Sequence, residues 1–197
     1  FKYGGLVTPQ FFPKNFAEES ESTISTLRLL NSQSQEKTVL LLQSTQHKYE
    51  KMIAELQSKA GKRVLLISLS FKQKRNKKAI GLSDYLENTV TKLPILHHPF
   101  YDELLTGSSN INLSEYLQSS KIKDLLDSLK ESYQKIIFST DLHFSSSEAS
   151  ALLPLVQEVI TSCAEDDYLY PLIFFSERYE QVSTICLLSQ TVKPLSY

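Results

Sequence analysis

Residues 38 to 70, TVLLLQSTQHKYEKMIAELQSKAGKRVLLISLS, constrain the fold of this chain more than any other stretch. Two short apolar runs, Val39–Leu42 and Val64–Leu69, flank a span where Met52, Ile53, Leu56 and Ala60 recur at helical spacing. The pattern predicts strand, helix, strand, with Gly61 ending the helix. A helix joining two near-continuously apolar strands is the mark of a parallel crossover whose sheet is covered on both faces. In such sheets ligands bind at the carboxyl ends of the strands, which places a site at Gln43–Lys48 and Ser68–Phe71. A phosphate-binding loop there needs glycines, so that consecutive backbone N–H groups can curl around the phosphates. Residues 43 to 52 contain none. The sequence therefore describes a nucleotide-binding architecture around a site that lacks the chemistry.

The rest of the chain fits one such domain. Its 197 residues are enough for one sizeable core, and the alternation of strands and helices predicts an α/β, three-layer, mostly parallel sheet without internal repeats. Residues 1–17, rich in Gly, Pro and aromatics, read as an extended leader, and 18–197 as the domain. Phe1–Gly5 starts abruptly and Val192–Tyr197 reads as a strand cut short, so the sequence is expected to be part of a longer protein. The order expected within the domain begins with a helix from Glu18 through Leu30 and the pair of strands above. A short helix at Gly81–Leu86 with Ser83 as cap, a strand at Tyr101–Leu105, and helices at Leu113–Gln118 and Ser120–Ser132 follow. Then come a strand at Gln134–Ser139, a helix at Ala149–Cys163 capped by Ser145 and Glu148, a strand at Tyr168–Phe175, a helix at Glu177–Gln190 and a final strand.

Charge excludes one function class. The 21 basic residues against 22 acidic ones give a net charge of −1, whereas bulk nucleic-acid binding needs a strong basic excess. The basic run at 72–78 reads as a solvated loop, with an anion or membrane-surface contact as its other readings. Cys163 and Cys186 have no ligand spacing around them and read as buried thiols in apolar helices. His97 and His98 point to opposite sides of an extended chain, and no Cys, Asp or Glu stands near them at metal-ligand spacing. Asp141 and His143 form the best remaining polar pair, read as stabilising a loop. No Gly-x-Ser-x-Gly elbow supports a hydrolase built from Ser139, Asp141 and His143. Tyr168, Tyr170, Phe174 and Phe175 lack the interleaved basic residues of a base-stacking platform.

With these elements in place, the sequence resembles the cytoplasmic tyrosine-kinase (BY-kinase) domain of bacterial polysaccharide co-polymerases, relatives of the MinD and ParA P-loop ATPases. The resemblance rests on Ser25-Thr-Leu-Arg-Leu-Leu30, Ala60-Gly-Lys-Arg-Val-Leu-Leu-Ile67, Gly81-Leu-Ser-Asp-Tyr-Leu86, Leu104-Leu-Thr-Gly107 and residues 113–137, in order and in register. It implies a P-loop NTPase-like fold and also shows what has been lost. The family's Walker A loop falls between Gln43 and Met52, where only Lys48 and Lys51 offer charge. Its second acidic motif falls on Ser68 and Ser70, and its Walker B acid on Ser139, with Asp141 two residues beyond. Its Glu-x-x-Arg-x-x-Arg assembly motif reads Ser22, Ser25 and Arg28, so Arg28 alone remains as an oligomer-contact candidate.

Carboxylates at those strand ends hold Mg²⁺, and serine hydroxyls cannot offset a divalent charge. The resemblance therefore implies a degenerate, pseudokinase-like domain with no catalytic residues, no metal site and no ATP or Mg²⁺ cofactor, leaving Lys48, Lys51, Ser68, Ser70, Ser139 and Asp141 as vestigial positions. It further implies a scaffold or regulator of polysaccharide chain length or export at the cytoplasmic face of the bacterial inner membrane. Membrane segments would lie outside this chain, export or polymerisation proteins would be its partners, and homo-oligomerisation stays open. Two alternatives stand beside it: an active ATP-dependent autokinase with a rearranged site using Lys51 and Asp141, and a ParA/MinD-like positioning module.

Overall fold

The computed structural model describes residues 6–12, 37–42, 48–71, 79–109, 112–142, 146–164 and 184–190. At its centre lies the predicted crossover: β2 (Thr38–Leu42), α1 (Lys48–Lys59) and β3 (Val64–Leu69). Gly61 ends α1 with φ +86°, a left-handed conformation that glycine adopts without steric cost, while Lys62 N–H donates back to the Gln57 carbonyl. The remaining strands are β1 (Leu6–Phe12), β4 (Leu96–His97), β5 (Asp102–Leu105), β6 (Lys135–Thr140), β7 (Glu158–Ala164) and β8 (Thr184–Gln190). They form one eight-stranded sheet in the order β1-β8-β7-β2-β6-β3-β5-β4. Every pairing is parallel except the antiparallel β4–β5 edge.

Period-two alternation assigns the two faces of this sheet. Val39, Val64, Leu66, Ile137 and Ile160 pack with Ile53 and Ala54 of α1 and with Tyr101. Leu40, Leu65, Ile67, Leu69, Ile136 and Phe138 turn to the other face. That face is covered by α2 (Leu82–Leu86), α3 (Leu113–Leu117), α4 (Ser120–Ser132) and α5 (Ser147–Leu152). The result is the three-layer α/β architecture read from the sequence.

Several local expectations are corrected. The predicted helix Ala149–Cys163 stops at Leu152: Pro154 lies in a 3-10 turn over Leu153–Leu155, and the chain then enters β7. Of the predicted helix Glu177–Gln190, residues 184–190 instead form β8, lying between β1 and β7, and 177–183 lie outside the described residues. Cys163 and Cys186 thus lie on adjacent strands rather than helices, three positions out of register, since Cys186 stands opposite Ile160. Ser146, rather than Ser145, caps α5 by accepting from Ala149 N–H. The start of α2 is held by Asp84, not Ser83: its Oδ2 accepts from the Gly81 N–H at 2.8 Å. Leu6–Phe12, inside the expected leader, forms β1 beside β8. The expected helix at 18–30, the strands at 168–175 and 192–197, and the basic run at 72–78 lie outside the described residues.

Two glycines let the loop after β5 cross the start of α2. A Cβ on Gly81 would stand 2.2 Å from the Leu105 carbonyl oxygen and 2.4 Å from the Gly107 nitrogen, and Gly107 itself has φ +100°. Asp84 fastens the crossing, accepting from Ser108 N–H at 2.9 Å and Ser108 Oγ at 2.8 Å as well as from Gly81. Burial by itself would raise this carboxyl, but the backbone N–H groups of Ser108 and Gly81 and the Ser108 hydroxyl outweigh burial and hold it below its usual range.

Candidate functional site

The carboxyl ends of β3 and β6 bring together four of the six positions that the resemblance singles out. Ser68 and Ser139 are register partners across β3 and β6, on the face covered by α1, and Ser70 and Asp141 follow just beyond those strands. Ser139 is buried, and Ser68 and Ser70 are partly buried. Lys48 is the first residue of α1. Lys51 is exposed, and as the neighbour of Glu50 it is turned about 100° away around the helix. The loop at 43–47, Arg28 and His143 lie outside the described residues.

Each serine that stands where the resemblance expects a carboxylate donates its hydroxyl to a carboxylate from another position. Ser68 Oγ donates to Glu103 Oε1 of β5 at 2.9 Å. Ser70 Oγ donates to Asp141 Oδ2 at 3.2 Å, while Asp141 Oδ1 accepts from Phe71 N–H at 3.0 Å. Ser139 Oγ donates to Glu50 Oε2 in the first turn of α1. Thr106 completes the net, donating to the Ser68 carbonyl at 2.9 Å and accepting from Ser70 N–H at 2.8 Å. Glu50 and Glu103 are each only 5% exposed, so these are interior bonds whose loss would leave buried charge poorly satisfied.

Glu50, Glu103 and Thr106 were not singled out by the sequence reading. Glu50 carried a signal, however: residues 50, 53, 54 and 57 form the buried stripe of α1, so a glutamate stood at a core position of an amphipathic helix. Glu103 carried none, because a four-residue strand shows too little alternation to reveal which face its acid takes. Its neighbourhood is marked by Tyr101, whose phenol is raised by burial and then by Glu103, Glu55 and Glu50.

The net extends to the edge hairpin. Glu103 Oε2 lies 2.9 Å from His98 Nε2, and on the opposite face Asp102 Oδ1 lies 2.7 Å from His97 Nδ1. Asp102 Oδ2 accepts from Tyr133 OH at 2.6 Å, at the C-terminal cap of α4. Burial first, and then the bond to Asp102, raise the Tyr133 phenol, so it remains a donor throughout the neutral range. Among the described residues no three His, Cys, Asp or Glu side chains converge as metal ligands. Nor is any described helix long and apolar enough to cross a membrane.

This architecture is shared with BY-kinase domains and with ParA-like ATPases. The kinase domain of the Escherichia coli tyrosine kinase ETK superposes with a TM-score of 0.67 at 17% identity, over 94% of this chain and 83% of that one. The VpsO kinase domain superposes with a TM-score of 0.65 at 22% identity, over 87% and 93%. A plasmid partition protein from Borrelia burgdorferi follows with a TM-score of 0.55 at 15% identity, over 82% and 83%. No family model and no curated protein matches the sequence. The chain is thus similar in fold to the tyrosine-kinase branch and the partition-ATPase branch of the P-loop proteins.

Proposed function

We propose that this domain is a catalytically inactive, kinase-like scaffold acting in polysaccharide chain-length control or export, at the cytoplasmic face of the bacterial inner membrane. In this reading it binds proteins of the export or polymerisation machinery and uses no ATP or Mg²⁺. The observation that carries the proposal is the pairing of Ser68, Ser70 and Ser139 with Glu103, Asp141 and Glu50. A magnesium-nucleotide site needs open carboxylates for the metal's water shell and a frame of backbone N–H groups for the phosphates. Here the carboxylates are bonded to the strand ends themselves, and residues 43–52 contain no glycine to form the frame. The residues present therefore do not fit the group, and the net they form ties α1, β3, β5 and β6 together instead.

A second reading draws on the same residues. Carboxylates lie one hydrogen bond from each position where the resemblance expects them, which is the arrangement a rearranged but active autokinase would need. Calorimetric titration with ATP and ADP, each with and without Mg²⁺, separates the two. No heat and no shift in melting temperature at millimolar nucleotide are expected. Binding that tightens with Mg²⁺ and is lost in Glu50→Gln would establish the rearranged enzyme. Nucleotide binding indifferent to Glu50 would point to a ParA-like positioning module.

A further inference from the structure

β4 is the last strand of the sheet, and among the described residues nothing pairs with its outer side. The hairpin backbone shows which groups that leaves. His98 N–H donates to the Tyr101 carbonyl at 3.0 Å, so these two form a hydrogen-bonded pair, with Pro99 and Phe100 as the tip of the hairpin. Pairs in an antiparallel ladder alternate, so the next one, His97 with Asp102, is not hydrogen-bonded, and the His97 N–H and C=O point away from β5. One residue thus offers a donor and an acceptor side by side, the set that an incoming strand uses.

The side chains along this edge are also arranged for a neighbour. Two of the large apolar side chains exposed among the described residues, Leu96 at 44% and Phe100 at 48%, belong to this hairpin. Leu96 stands opposite Glu103 on the α1 face, while His97 lies on the α4 face. His97 Nδ1 is 2.7 Å from Asp102 Oδ1, and because a carboxylate only accepts, Nε2 is the nitrogen left for a neighbour, on a side chain 78% exposed. At the tip, Lys59 Nζ stands 5.0 Å from the centre of the Phe100 ring, and Arg63 is exposed two residues before Leu65, the register partner of Asp102. The acids nearby are committed: Glu55 to Lys59 at 3.8 Å, Asp102 to Tyr133 and His97, Glu103 to Ser68 and His98. The tip therefore favours a carboxylate in whatever lies beside it.

We propose that the outer side of β4 binds an extended segment of a partner protein by strand addition. One residue of the segment pairs with His97 through both backbone bonds. Its side chain falls on the α4 face, where a Ser or Thr hydroxyl, both donor and acceptor, suits His97 Nε2. The residues on either side of it fall on the α1 face, where apolar side chains cover Leu96, and an acid toward the tip meets Lys59. A two-residue edge between Pro94 and Pro99, which have no N–H to give, cannot template a long pairing. That guards against aggregation through the edge and leaves the choice of partner to side chains. A second copy would bring a histidine to the paired position and a proline on either side, a poorer match than a Ser or Thr segment. The inference goes beyond the scaffold reading and stands without it, because strand addition uses none of the serine positions.

Amide hydrogen exchange on the whole chain, read by NMR, tests the edge with the capped peptide Glu-Ser-Val-Thr-Val-Ser-Glu as probe, whose symmetry serves either strand direction. At millimolar peptide the His97 amide, expected to exchange freely without it, should gain about tenfold protection. The same peptide N-methylated at its Thr lacks the donor for the His97 carbonyl and should give none. Leu96→Lys should weaken binding of the first peptide about fivefold or more. Equal protection by both peptides, or protection by neither, would overturn the proposal. A His97 amide already protected without peptide would overturn it too: protection that rises with protein concentration would assign the edge to a second copy, and constant protection to the chain itself. The comparison of the two peptides uses the unmodified protein and decides the matter even where Leu96→Lys fails to fold.

Discussion

At the scale of single residues, the domain seats a serine hydroxyl against a carboxylate at each of three strand-end positions. Ser139 and Glu50 illustrate this: the acid stands on the helix that covers the strand end, and the serine hydroxyl joins the two elements. Ser139→Ala removes a donor from a buried carboxylate and is expected to lower stability by about 1–3 kcal/mol, read from the urea midpoint. Asp84 gives a prediction in pH. Its carboxyl is held below its usual range, so its contribution is complete above that range and is lost as pH falls through the folded value, from about pH 4 downward. The melting temperature of the unmodified protein should therefore drop more steeply in acid than that of Asp84→Asn, which starts lower at neutral pH.

At the scale of elements, two features fix how strands and loops meet. Lys135 of β6 and Glu158 of β7 lie on the strands that flank β2, and their side chains meet at 3.3 Å, with 2% and 3% exposed. The pair bridges the central strand beneath α1, at the end of the sheet away from the serine net. Lys135→Met leaves a buried carboxylate without its cation and should cost about 3–5 kcal/mol, while Lys135→Met with Glu158→Leu should recover most of the loss. Equilibrium unfolding of the unmodified protein and the two variants reads both numbers. The second feature is the glycine crossing. Gly81→Ala places a methyl group against backbone that has nowhere to go, and should cost about 2 kcal/mol or more, read as a lowered midpoint.

Also at this scale, legibility followed pattern length. The β2–α1–β3 unit was readable because a twelve-residue helix carries its apolar spacing over three turns between two near-continuously apolar runs. Residues 158–164 and 184–190 were misread as helical because a run of six or seven mixed apolar residues fits either period. Pro154 and the β-branched Val159, Ile160 and Thr161 were the signals for the turn and the strand. Asp84 as a cap was also readable, since an acid three residues inside a helix start is the second half of a capping box.

For the whole molecule, the fold is similar to that of P-loop proteins, and the described ends of β3 and β6 are bonded to carboxylates of the domain itself. The net of Ser68, Ser70, Ser139 and Thr106 with Glu50, Glu103 and Asp141 spans four elements, so stability and site geometry are one property. The proposed scaffold needs only that shape. Saturating ATP and Mg²⁺ are therefore expected to leave the melting temperature unchanged, and a rise of several degrees would show that the site still takes its ligand. The sequence by itself determined the layer order, the crossover at its centre and the three serines, because these depend on periodicity and on the identity of residues along the chain. Only the tertiary structure decided that each serine meets a carboxylate and that two histidines grip the sheet edge from opposite faces. Those partners are up to 89 residues apart in sequence, as Ser139 is from Glu50, and no local pattern carries a contact made by strand order and register.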